Sequence, residues 1–183
     1  MTCIVGLEMN GVIWIGGDSR ACVENGDAIF QLKTPKVYEV DKYIIGVCGS
    51  PLMMNVIQYH LKLPSPPAKN LMGFMSKTAI PKIKECVRER GGTYDKLPDG
   101  SQLLVGVSGR LVAVDNNTQI YEPRENYHAI GSGAQLAKGC LYGLMLNLPE
   151  LQPELMVKSA LMASEKFSNG VGEPWTVLHG AQK

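Results

Sequence analysis

Thr2 and Asp18 sit at the two ends of the run MTCIVGLEMNGVIWIGGDSR that opens this chain, and both side chains are suited to chemistry. Once the methionine before it is removed, a threonine carries a hydroxyl and a free α-amine on one residue. Such an amine titrates at about 7.7–8.0, which suits a general base at neutral pH. The threonine-plus-terminal-amine pair is a recognised way to activate a hydroxyl nucleophile. It needs positive potential nearby to keep the amine deprotonated and to steady a developing alkoxide. Lys36, heading the run KVYEV after Pro35, can supply it. Lys33 competes for that part but lies in a loop. Asp18 is placed to hold the lysine through a charge-assisted hydrogen bond. Taken singly, Asp18 and Lys36 read more readily as surface charges at strand ends.

Gly46 falls inside the strand-like run YIIGVC, where glycine marks a bulge or a close backbone approach. Its functional reading is an N–H aimed at an oxyanion. Ser132, in GSG, reads either as a helix cap or as a functional hydroxyl. The run GSGAQLAKG lacks the spacing of a phosphate loop. Asn169 and Ser168 lie in a Gly-flanked turn where a helix ends, and a plain C-cap accounts for Asn169 as well as function does. His60, His128 and His179 are scattered, with no partner carboxylate or metal spacing, and read as structural. The five cysteines show no CxxC spacing or Cys/His cluster, so neither a zinc site nor a disulfide framework is expected. No cofactor is expected.

These residues need elements to position them. Runs 2–8 and 12–17 are apolar and β-branched, and Asn10-Gly11 between them is a hairpin signal. Both strands are apolar on two faces, which predicts a sheet covered on both sides. Residues 19–33 read as a polar excursion, followed by strands 36–40 and 43–48. Ser50-Pro51 opens a helix over 51–62. A second helix over 70–90, ending at Gly91-Gly92, is kinked or divided by Pro81. Strands follow at 102–107, 109–115, 118–122 and 127–131, then a helix after Gly131-Ser132-Gly133, another over 153–167, and a last strand at 175–179. Segregated runs of this kind predict an α+β fold: a four-layer αββα sandwich of two antiparallel sheets flanked by helix pairs, as one domain over 1–183.

Composition narrows the function. The 18 basic and 17 acidic residues are balanced and form no basic stripe, which argues against nucleic acid as a partner. No apolar stretch approaches the roughly 20 residues of a membrane span, and Glu8 and Asn10 interrupt any signal-like opening. A cytoplasmic protein is expected, with no membrane partner.

Several of these motifs, in order, resemble one family. TCIVGL…NGVIWIGGDSRA is similar to the opening of proteasome β-type subunits and of the bacterial proteasome-like peptidase that works with an ATPase ring. KVYEVDKYIIGVCGS resembles the family's lysine-bearing and oxyanion-glycine strands, and LLVGVSGRLVAVDNNTQIYEP…HAIGSGAQLA its second hairpin and third long helix. The resemblance implies an N-terminal-nucleophile hydrolase acting on peptides or unfolded protein, with Thr2 as nucleophile and its own amine as base. Lys36, positioned by Asp18, lowers the amine's pKa; Gly46 binds the oxyanion and Ser132 supports the terminus. Pocket positions fall at Ala21, Ile44 and Cys48, which are small or apolar, so cleavage after apolar residues is expected. The resemblance further implies a homo-oligomeric ring, with an ATPase unfoldase as a candidate partner.

The late acidic residue of the family is replaced here by FSNGVGEPW, leaving Ser168 or Asn169 to serve. With Met1 attached, the amine is an amide. A catalytically idle ring or shell subunit is therefore the alternative, and a small-molecule amidase using Cys3 a third reading.

Overall fold

Asn10 and Gly11, both at positive φ (54° and 74°), close the tight turn between β1 (Ile4–Met9) and β2 (Val12–Gly17), as an Asn-Gly pair between apolar runs predicts. This hairpin is the centre of a four-stranded antiparallel sheet in which β10 (Tyr127–Ile130) pairs with β1 and β11 (Thr176–Gly180) with β2. The second sheet, also antiparallel, runs in the order β5 (Val37–Val40), β6 (Tyr43–Cys48), β7 (Gln102–Val107), β8 (Arg110–Val114), β9 (Ile120–Tyr121). The structure is a computed structural model and describes residues 1–22, 29–91 and 96–180.

Helices cover the outer face of each sheet, giving the four αββα layers that the order of elements predicts. On the five-stranded sheet lie α1 (Pro51–Tyr59), α2 (Leu71–Phe74) and α3 (Ile80–Arg88), with Met53, Ile57 and Ile83 packed on Ile45, Val47 and Val105. On the four-stranded sheet lie α4 (Ala134–Asn147) and α5 (Pro153–Phe167), where Val157 and Leu161 meet Val5 and Leu7. Between the sheets, Ile4, Ile13 and Ile15 pack on Ile44, Leu104 and Leu111. The alternation of strand side chains therefore gives both faces of each sheet an apolar partner.

Three details depart from the sequence reading. The stretch 70–90 is divided by a five-residue π-helical turn, Met75–Ala79, just ahead of Pro81; proline has no N–H for the carbonyl one turn back. The helix closes at Arg88, followed by Gly91 at φ 91°, and Gly92 lies outside the described residues. Within 19–33 the chain forms a short ribbon, β3 (Arg20–Cys22) paired with β4 (Ile29–Gln31), while 23–28 lie outside the described residues.

The sheets pack tightly at Gly46, where an added Cβ would lie 2.3 Å from Ile4 Cγ2. Gly46→Ala is therefore expected to lower stability by about 1–3 kcal/mol through overpacking, read as a lower midpoint in thermal melting. An unchanged midpoint would show that the sheets part freely there.

Candidate active site

Lys36 and Asp18 are buried to 1% and 0% exposure at the end of the space between the sheets. Lys36 precedes β5 and Asp18 follows β2, so packing one sheet on the other brings them together. The Lys36 ammonium donates to Asp18 Oδ1 at 2.9 Å, to Thr2 Oγ1 at 3.1 Å and to the Arg20 carbonyl at 2.5 Å. Asp18 also accepts the backbone N–H of Cys3 on Oδ1 (2.9 Å) and of Arg20 on Oδ2 (3.0 Å). The carboxylate is thus fixed by one charged and two neutral donors. Burial pushes Lys36 below its usual value, and the Asp18 charge beside it opposes that shift.

Thr2 is itself only 4% exposed. Its N–H donates to Ser132 Oγ at 3.1 Å, and Ser132 Oγ donates back to the Thr2 carbonyl at 3.3 Å. Gly133 N–H donates to the same carbonyl. Only glycine fits at 131, which has φ 90° and no room for a Cβ, since one would lie 2.3 Å from Thr2 O. The turn before α4 therefore clamps the start of β1. Met1 completes the arrangement: its carbonyl accepts from Thr2 Oγ1 at 2.5 Å and from Lys36 Nζ at 3.5 Å. Its side chain lies against Gly170, where a Cβ would come within 2.2 Å of it.

Thr2, Asp18, Lys36 and Ser132 are thus brought together, and Lys33 plays no part in the cluster. Gly46 is not: the Val47 N–H donates to the Lys36 carbonyl across β5–β6. The neighbouring Gly46 N–H therefore faces the other way, into the ladder with Leu104, and cannot reach an oxyanion. Gly49, just past β6 at φ 97°, instead lines a cavity of ≈ 280 Å³ beside Thr2. Its N–H has no hydrogen-bond partner among the described residues.

Ala21 lines that cavity, but Ile44 and Cys48 do not. Both face the other sheet within the inner core, on the same side of β6 as Gly46. Asn169 also misses the cluster: it is exposed, and its recorded bond is a backbone carbonyl accepting from Arg20 Nη1 at 3.3 Å. The α5 end reaches Met1 through Gly170 instead. Cys3 faces α5, with its thiol on Ser164 Oγ at 3.4 Å, and burial pushes it up to about 12. It is a neutral core thiol turned away from the cavity, which removes it as a nucleophile. Among the described residues no group of three or more His, Cys, Asp or Glu is placed to hold a metal ion, and no helix is long and apolar enough to cross a membrane.

The sequence resembles "Proteasome subunit beta" of Saccharomonospora viridis, at 30% identity over 177 residues. That match covers 88% of this chain and 59% of the relative, so the chain spans about three fifths of its length. No protein-family model matches. Among solved structures, Thiobacillus denitrificans BPH in complex with epoxomicin superposes with a TM-score of 0.80 at 17% identity, over 99% of both chains. HslV from Trypanosoma brucei does so with 0.67 at 17% identity, over 97% of this chain and 98% of its own. The fold is proteasome-like. In this proteasome-like fold the cluster lies at the mouth of the sandwich, where the inner core opens to the cavity.

Two further groups serve the cluster and were not singled out from the sequence. Ser164, fully buried on α5, donates to the Gly133 carbonyl at 3.0 Å and so braces the turn behind Thr2 from the helix layer. It falls at helical spacing after Val157, Ala160 and Leu161, and a polar residue on an apolar stripe was the available signal. Arg20 supplies a carbonyl to Lys36 and an N–H to Asp18, while its guanidinium spans Asn169 O and Glu165 at 3.6 Å.

Proposed function

We propose that this chain is a threonine-type peptidase, with Thr2 Oγ1 as nucleophile once the Met1–Thr2 bond is cut. The observation that carries the reading is the buried Lys36–Asp18 pair aimed at Thr2 Oγ1. Two buried charges held against a hydroxyl serve no packing need. In the reaction, the freed Thr2 amine takes the Oγ1 proton as Oγ1 attacks the peptide carbonyl carbon. Lys36 keeps the amine unprotonated by like-charge repulsion, and Ser132 orients it. The oxyanion is received by the Gly49 N–H, in the part the sequence reading gave to Gly46. The amine then hands its proton to the leaving nitrogen, which departs as the C–N bond breaks. Water, deprotonated by the same amine, hydrolyses the resulting ester on Thr2.

The reading extends to a single domain over 1–183, a homo-oligomeric ring, an ATPase unfoldase as partner and a cytoplasmic setting. Support comes from the likeness to proteasome β and HslV proteins and from the epoxomicin complex of BPH. A second reading, an idle ring or shell subunit, is favoured by one observation: the Met1 carbonyl occupies Thr2 Oγ1 and lies within reach of Lys36.

Intact-mass measurement and peptide hydrolysis on the same samples separate the two. Hydrolysis is expected to rise in proportion to the fraction lacking Met1 and to stop on addition of epoxomicin. A sample wholly free of Met1 that hydrolyses no peptide would favour the idle subunit.

A further inference from the structure

Ser101, just ahead of β7, is a fully buried residue outside the Thr2 cluster. Its Oγ accepts the Ser50 N–H at 3.2 Å. Ser50 directly follows Gly49, whose N–H has the oxyanion part in the proposed reaction. Ser101 also packs against Gly49 itself: a Cβ added at 49 would lie 2.6 Å from both the Ser101 Cα and the Gly100 carbonyl oxygen. The segment carrying Ser101 is fixed from its other side. Leu97 is 1% exposed in the core between the five-stranded sheet and its helices. The Leu97 N–H donates to the Asn116 carbonyl and the Ser101 N–H to the Pro98 carbonyl.

Gly49 needs such support. Glycine has little torsional preference of its own, and Gly49 sits at φ 97°, so the peptides on either side decide where its N–H points. On one side Cys48 ends the β6–β7 ladder, paired with Gln102. On the other side the ladder has stopped, and the Ser50 N–H is held by Ser101 Oγ before α1 begins at Pro51. We infer that Ser101 is a positioning residue: by holding the Ser50 N–H it fixes Gly49 in the conformation that turns the Gly49 N–H toward the carbonyl attacked by Thr2. This role rests on the peptidase reading. Oxyanion donors act through pre-organisation, so a loosened turn weakens the transition state and leaves substrate binding as it was.

Ser101→Ala removes the acceptor and keeps the backbone. On protein free of Met1, its kcat for peptide hydrolysis is expected to fall about ten- to a hundredfold, below the roughly 10²–10³-fold that follows loss of an oxyanion donor itself. KM should stay within about twofold, as for an interaction made only in the transition state. Ser101→Cys fills the same space with a weaker acceptor and should fall between the two. A peptide aldehyde reads the same donor without turnover. Thr2 Oγ1 bonds to its carbonyl carbon, the hydroxyl proton passes to the Thr2 amine, and the carbonyl electron pair becomes an oxyanion facing Gly49. Its inhibition constant should rise by the factor by which kcat/KM falls. Calorimetry with the peptide substrate on Thr2→Ala and on Thr2→Ala/Ser101→Ala should give equal Kd values. An unchanged kcat in Ser101→Ala, or a Kd weakened by the same factor as kcat/KM, overturns the assignment. Residue-level amide hydrogen exchange separates the turn from the chemistry: in Ser101→Ala the Ser50 amide is expected to lose protection while Ile45 and Val47 in β6 keep theirs. If wild type neither hydrolyses the peptide nor binds the aldehyde, the peptidase reading fails and takes the catalytic role with it. Lost Ser50 protection would then still assign the turn to Ser101, and retained protection would overturn that as well.

Discussion

Thr2→Ala is expected to reduce peptide hydrolysis by about 10⁴-fold or more, the scale on which removing a nucleophile acts in an assembled site. Its melting midpoint should fall by no more than roughly 5–16 °C. The hydroxyl takes part in two hydrogen bonds, one with the Met1 carbonyl worth about 1 kcal/mol net and one with the Lys36 ammonium worth about 1.5–3 kcal/mol. Activity and stability should therefore separate. Thr2→Ser keeps both the hydroxyl and the amine and is expected to retain most of the rate, within about one to two orders of magnitude. Matched rates of wild type and Thr2→Ala would sink the peptidase reading outright. A steep joint loss of activity and folding in Thr2→Ala would point to a structural part for the hydroxyl.

The gross architecture was legible because it rests on short-range signals. Asn10-Gly11 fixed the hairpin that brings Asp18 back beside Thr2, and Pro153 opens a helix whose observed bounds, Pro153–Phe167, are those its periodicity indicates. The ribbon at 20–31 was not legible. Ile29 and Phe30 are about half exposed, and Phe30 stands at the cavity, so no burial pattern marks the strands. The π-helical turn before Pro81 is the adjustment of a helix to a missing N–H, and sequence indicates the need for one without its form.

The charged part of the site was legible because buried charges demand partners, and Lys36 and Asp18 were the pair the strand ends could bring together. The finer parts failed for geometric reasons. Ile44, Gly46 and Cys48 alternate onto one face of β6, and that face meets the other sheet. Backbone N–H groups alternate as well, so a glycine in mid-strand between two partners has its donor in the ladder. An oxyanion donor has to come from beyond the strand's end, where Gly49 lies. Asn169 failed because the direction of a chain leaving a helix is set by the cap, and here the turn puts the Gly170 backbone against Met1.

Asp18→Asn is expected to affect fold and chemistry together. Asp18 accepts from Lys36 and Cys3 on one oxygen and from Arg20 on the other, so an amide turned either way sets a donor against a donor. Breaking a buried pair by removing one charge costs about 3–5 kcal/mol, or roughly 6–20 °C in melting midpoint for a chain of this size. Burial already pushes Lys36 below its usual value, and the Asp18 charge is what opposes it. Without that charge the lysine titrates lower still, and the sign of the stability change follows. Between the folded value and about 10.5, the unfolded chain binds a proton that the folded one does not. The variant's stability should therefore climb as pH is raised through that window. A neutral Lys36 also ceases to repel a protonated Thr2 amine, so the acid limb of kcat/KM should move to higher pH than in wild type. Asp18→Asn/Lys36→Met removes both charges and should melt above Asp18→Asn, because no unpaired buried cation remains. A double variant no more stable than the single, or an acid limb that stays in place, would show that the pair neither needs mutual compensation nor tunes the amine.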